Sequence, residues 1–318
     1  MKKVFIIIAA VLTVLGLAVF AGALAVSGFK FPLFGIEEYE TNTYTADEEF
    51  SNIEIDSKTA DITFEKSQDG KFSVVCTERE KLRHSVRVEN ETLKITEVDE
   101  REWFEYVSLF SKQQTMTVYL PSESYEKLTV NGSTGDITVP GGFAFESADL
   151  TESTGDAVFG AAVSGALNIK TSTGDIDLKY VEIGSIALSV STGKINVQKV
   201  NCKEELYVHV GTGKAKLTDV ACKSLRSDGG TGDITLKDVI ASDSFDIERG
   251  TGDVKFEGCD AAEITVKTST GDVTGTLYTD KIFIAKSSTG KVSVPDTTTG
   301  GRCEVTTSTG RIELRIQN

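Results

Sequence analysis

Leu167-Asn-Ile-Lys-Thr-Ser-Thr-Gly-Asp-Ile-Asp-Leu178 is followed one period later by Ile186-Ala-Leu-Ser-Val-Ser-Thr-Gly-Lys-Ile-Asn-Val197. Both stretches alternate apolar and polar residues on either side of a Thr-Gly pair. That period of two belongs to β-strands and cannot be laid on one face of a helix. The pattern returns at Gly135, Gly155, Gly174, Gly193, Gly213, Gly232, Gly252, Gly271, Gly290 and Gly310, always 19 or 20 residues apart and always after a threonine. Two residues past each glycine the side chain is apolar, as at Ile137, Ile176, Ile195, Ile234 and Val254. Seven before it stand Leu128, Leu167, Ile186, Leu206 and their equivalents; five before it only Ser227 breaks an apolar column.

A unit this short cannot bury its own apolar face, so units must stack. Identical residues at equivalent positions favour coils lying directly over one another, about 4.8 Å apart. The reading is an all-β fold, a single-stranded parallel β-helix (solenoid) of about ten coils, roughly 45–50 Å long, with right-handed crossovers. Glycine suits the corner because it accepts positive φ. A worn repeat, Ile53-x-Ile55 and then Lys58-Thr-Ala-Asp-Ile-x-Phe64, puts Ala60 in the glycine position. The solenoid is therefore expected over 47–318, with irregular coils at 47–130 and regular repeats at 131–318.

The N-terminus reads differently. Met1-Lys2-Lys3 precedes a run from Val4 to Ser27 without one charge. At 1.5 Å per residue it would extend about 36 Å, long enough for a transmembrane signal anchor over 4–27 with residues 1–3 inside. Residues 28–46 would then be a stalk. The alternative is a secreted protein released by cleavage near Ala23-Leu24-Ala25.

Composition narrows the functions. A net charge of −15 argues against nucleic acid as a partner. Near-constant repeat lengths leave no long loop to build a cleft. The two histidines, His84 and His209, offer no nucleophile–base–acid set by spacing, so no catalytic, cofactor-binding or metal residues are assigned. The residue after each glycine is Asp, Lys or Arg; the aspartates read as solvated turn residues, offset by cations at Asp175/Lys194 and Asp272/Lys291. Trp103, Val107 and Phe110, at helical spacing within 100–112, read as a plug over the solenoid or as a partner patch. Cys202 and Cys222 each lie nine residues past a repeat glycine, so equal phase sets them in adjacent coils within disulfide reach. Cys259 and Cys303 fall at core positions.

With these motifs in hand, the chain resembles the bacterial putative-adhesin family of β-strand-repeat proteins, which includes LiaG-like envelope proteins. The resemblance rests on Met116-Thr-Val-Tyr-Leu120-Pro121, Leu128-Thr-Val130 and Ser133-Thr-Gly-Asp-Ile-Thr-Val139 with its successors, behind an N-terminal anchor. It implies a non-enzymatic location on the cell surface and a binding or adhesion role toward a surface ligand. The other reading is an accessory or sensory envelope protein acting through a neighbouring membrane protein. Lys194, Lys214, Lys291 and Arg311 depart from a uniform Gly-Asp pattern and speak against one common ligand along that face.

Overall fold

The computed structural model describes residues 2–26, 39–101 and 112–317. The uncharged N-terminal run forms α1 (Lys2–Val26), with apolar side chains such as Leu12, Val14 and Val19 standing exposed. Among the described residues no helix is long and apolar enough to cross a membrane. The segment expected to span is thus a helix, but the structure does not make it a span.

The rest is one sheet wound into a solenoid. β1 (Tyr39–Thr45) occupies the expected stalk and pairs antiparallel with β4 (Ser73–Arg79). β2 (Asn52–Ser57) and β3 (Ala60–Lys66) form the worn coil around Ala60. After β4, β5 (Leu82–Glu89) folds antiparallel onto β6 (Thr92–Asp99), which with β7 (Gln114–Leu120) makes a second irregular coil. Regular coils follow through β8 (Ser124–Gly132), β9 (Ile137–Val139), β10 (Ala144–Thr154), β11 (Ala157–Phe159) and β12 (Ala162–Thr173). In β13 (Ile176–Cys202), β14 (Glu205–Thr231), β15 (Ile234–Thr251) and β16 (Val254–Thr270) pairing continues through corners. Then come β17 (Val273–Leu277), β18 (Lys281–Ser287), β19 (Val292–Ser293), β20 (Gly301–Thr309) and β21 (Ile312–Ile316).

The parallel register follows the glycine phase: Ile186 lies over Leu206, Gly193 over Gly213, and Ile234 over Val254. Ile176, Ile195, Ile234, Leu188 and Leu206 are fully buried in the continuous column that the alternation requires. The repeat glycines from Gly135 to Gly271, and Gly310, have φ between +130° and +153°. A Cβ on Gly155 would also collide with the carbonyl of Gly135 beneath it, so both backbone angle and stacking distance exclude a side chain.

The aspartate after the glycine bonds across coils and is not merely solvated. Asp136 N–H donates to Asp61 Oδ1 (2.9 Å), Asp156 N–H to Asp136 Oδ1 (2.8 Å), and Asp175 N–H to Asp156 Oδ1 (2.7 Å). Each carboxylate meets a backbone donor of the next coil, which explains how acids recur along one column. Lys194 ends that block, donating its N–H to Asp175 Oδ1 at 2.8 Å.

Both ends break chain order. β2 lies between β6 and β8, and β3 between β7 and β9, so the coil around Ala60 is slotted between two later ones. At the far end β20 lies between β16 and β18, and β21 between β17 and β19. The last coil in sequence is therefore the penultimate one in space. This corrects the expected Asp272/Lys291 offset: Asp272 receives the N–H of Arg311 at 2.8 Å, and Arg311 Nε lies 2.9 Å from its Oδ2.

Candidate functional site

A second corner, six residues past the glycine, shapes an open feature of the surface. Tyr180, Lys199, Asp219, Asp238 and Gly258 all take left-handed φ, between 52° and 64°, in five successive coils. The residue types differ, so no repeat marks this corner in the sequence. The two preceding coils instead carry Gly141 and Gly142, after Pro140, and Gly160 around this corner, and these glycines add no side chain there. The result is a trough of about 660 Å³ floored by Val139, Phe143, Phe159 and Val181. It runs past Tyr180 and Glu182 into a second depression reaching Asp238 and Ile240. Tyr180 is 66% exposed, with the Lys199 ammonium 5.2 Å from its ring centroid. Lys179, Glu182 and Glu123 supply donors and acceptors at the trough's edge.

A second cluster was invisible in the spacing. Ser57 Oγ lies 3.0 Å from His84 Nε2, and His84 Nδ1 lies 2.8 Å from Glu78 Oε2. A nucleophile–base–acid set is thereby assembled, contrary to the expectation from spacing; antiparallel β4 and β5 bring it together at the end of β2. Ser57, His84 and Glu78 are 1%, 4% and 0% exposed, so no substrate reaches the hydroxyl in this conformation. Glu78 accepts further bonds from the His84 N–H (2.9 Å), Asn42 Nδ2 (2.8 Å) and the Tyr44 hydroxyl. Burial pushes its carboxyl up, but the donors His84, Tyr44 and Asn42 outweigh that and hold it below the usual range. Cys76 completes a group whose S, O and N atoms lie within 4.8 Å of one another, a donor set suited to a transition metal. Both His84 nitrogens and the Glu78 carboxylate already have protein partners, so a metal would have to displace them. As it stands, the cluster is a satisfied buried polar network.

The other predicted residues separate clearly. Trp103, Val107 and Phe110 lie outside the described residues. Asn201 pairs with Ala221, which sets Cys202 and Cys222 in neighbouring coils at the next step of the same register. Both are buried free thiols, as are Cys76, Cys259 and Cys303. His209 pairs with Asp228, which also accepts the Tyr207 hydroxyl at 2.9 Å. Ser227, the one polar break in its column, is buried; it donates to Val208 O (2.9 Å) and receives Arg249 Nη2 (2.6 Å).

Fold and surface together define a parallel β-solenoid with an open surface trough. The chain belongs to the Toastrack DUF4097 family, whose model matches residues 50–204 and 195–318. No curated protein matches it. Among solved structures it is similar to a protein of Parabacteroides distasonis ATCC 8503 described as a "putative lipid binding protein", at 18% identity and TM-score 0.52, covering 76% of this chain and 98% of that one. A "putative adhesin" of Bacteroides fragilis NCTC 9343 has 14% identity, TM-score 0.47 and coverage of 87% and 97%. Another from Parabacteroides merdae ATCC 43184 has 13% identity, TM-score 0.49 and coverage of 88% and 98%. At such identities the first of these likenesses supports the fold alone.

Proposed function

We propose that this protein is a non-enzymatic binding module displayed on the cell surface, held at its N-terminus by α1, and that it binds an extended glycan chain across the trough beside Tyr180. The carrying observation is the exposed Tyr180 ring, set in an open, elongated trough with cationic and carboxylate groups along its edge. An enclosed pocket would suit a small molecule; an open trough crossing several coils suits a polymer lying along the rod. Display is supported by the uncharged run Val4–Ser27 behind Lys2-Lys3 and by a helix apolar on every described side, which needs apolar surroundings. A non-enzymatic role fits the sealing of Ser57.

The test is co-sedimentation of the full-length chain in detergent with insoluble cell-wall glycan. Wild type is expected in the pellet, and Tyr180→Ala is expected to lose at least tenfold in apparent affinity. Equal retention of both removes the trough from the reading. Protease added to intact cells should digest the solenoid while sparing a tag at residue 1; full protection would remove surface display.

A further inference from the structure

The two ends of the solenoid are finished differently. At the N-terminal end β1, β4 and β5 cover the core antiparallel, and Val74 and Cys76 of β4, Leu82 of β5 and the adjoining Phe72 are buried. At the C-terminal end, among the described residues, β18 pairs only with β20 and β19 only with β21. The core is open there. Phe283 and Ala285 face inward but are only partly buried, and Val292, at a core phase, is 38% exposed. On the outward side Ile282 and Ile284 are 45% and 47% exposed. An apolar strand edge with unmet backbone groups is a pairing surface.

The backbone fixes which groups face out. Ser288 N–H donates to Thr307 O, so even-numbered residues of β18 turn their N–H and C=O toward β20. Odd-numbered residues turn theirs to the open edge, where Thr297 Oγ bonds the Lys281 carbonyl. Phe283 and Ala285 therefore hold the central unpaired donors and acceptors.

We propose that this edge is a self-complementary interface, β18 of one chain pairing antiparallel with β18 of a second copy about a two-fold axis at Ile284. In that register Phe283 lies opposite Ala285 of the second copy, large against small, and the two exchange backbone hydrogen bonds. Ile284 meets Ile284. Lys286 lies across from Ile282, its stem on the apolar side chain, and diagonal to Asp280, within reach of a long side chain. Lys286 and Asp280 are both exposed, so each copy offers one cation and one anion to the other. Closed two-fold pairing uses up both edges and stops at a dimer. The N-termini then point in opposite directions, so displayed chains would join facing surfaces. That consequence rests on the surface display proposed above, whereas the dimer does not.

The experiment uses the full-length chain in detergent micelles, by sedimentation equilibrium and mild oxidation. Wild type is expected to be a dimer at micromolar concentration, and Ile284→Lys, at an exposed position, to raise the dissociation constant at least tenfold. Ile284→Cys is expected to give a disulfide dimer faster than Ser293→Cys. Lys286→Asp should weaken the dimer, and adding Asp280→Lys should restore it, a rescue that neither α1-driven association nor a folding defect would produce. A wild-type monomer, an Ile284→Lys dimer of unchanged affinity, or a charge swap without rescue would each overturn the proposal, whatever the outcome of the glycan and topology experiments.

Discussion

The carboxylate of Glu152 lies over Gly132 in the coil beneath, in space that a side chain on Gly132 would have to occupy. Glu152 is 3% exposed, and burial pushes its carboxyl up to about 7 from an ordinary value of 4.5. The folded chain thus holds a proton between those two values that the unfolded chain has lost. Stability should fall as pH rises from about 4.5 to 7 and then level off. Glu152→Gln is expected to remove that slope and to gain up to roughly 3 kcal/mol above pH 7, with no gain below 4.5. Urea unfolding of both proteins across this range checks it; parallel pH profiles would refute the assignment.

The Glu78 cluster should behave in the opposite sense. Its carboxyl is held low in the folded chain, so its contribution is present above the ordinary carboxylate value and is lost as pH falls through the lowered one. Glu78→Ala strands Asn42, Tyr44 and His84 together and is expected to cost roughly 3–5 kcal/mol. Because Ser57 is buried, a fluorophosphonate probe should leave the native chain unlabelled. Labelling at Ser57 would show instead that the set opens to substrate.

The aspartate column separates hydrogen bonding from metal binding. Asp156→Ala leaves the Asp175 N–H without its 2.7 Å partner and should cost about 1–2 kcal/mol, whereas Asp156→Asn keeps an acceptor oxygen and should cost far less. Chelator should not lower the melting temperature. A chelator-sensitive melt, with Asn as damaging as Ala, would favour a cation between the coils.

The solenoid was legible because its signals are local and repeated. Gly193 and Gly213 share a phase, Ile195 and Ile234 share a face, and the stacking follows. What remained hidden depends on pairings that no repeat encodes. The exchange of the last two coils leaves the spacing of Gly290 and Gly310 unchanged, because sequence period records coil length and not coil order. His84 meets Glu78 and Ser57 only because β4 and β5 turn antiparallel outside the regular array. The left-handed corner at Tyr180, Lys199 and Asp219 is a backbone feature borne by unlike side chains. Ser227 did carry a signal, since a polar break in an apolar column marks the place where buried Arg249 finds an acceptor.

Cys202 and Cys222 test the register in the middle of the rod. Burial pushes the Cys222 thiol up to about 12 and raises Cys202 as well, so neither reacts readily at neutral pH. A chain retaining only these two cysteines should nevertheless cross-link internally under prolonged oxidation, losing two hydrogens, because neighbouring coils lie within disulfide reach. Exclusively intermolecular products would place the two residues apart.

Coil order at the C-terminal end admits a direct test. Thr270 pairs with Thr309, and the Thr289 N–H bonds Ser308 O on the far side of that same coil. Thr270 and Thr309 are thus one step apart, about 4.8 Å, and Thr270 and Thr289 two steps, about 9.6 Å. Only the first separation falls within disulfide reach. All three side chains are exposed, so cysteine is tolerated there and reagents have access. Thr270→Cys/Thr309→Cys should form an internal disulfide on mild oxidation and raise the melting temperature, since the bond closes a long loop. Thr270→Cys/Thr289→Cys should remain reduced or give dimers only. If the second pair closes internally and the first does not, the coils stack in chain order and the inserted C-terminal coil is wrong.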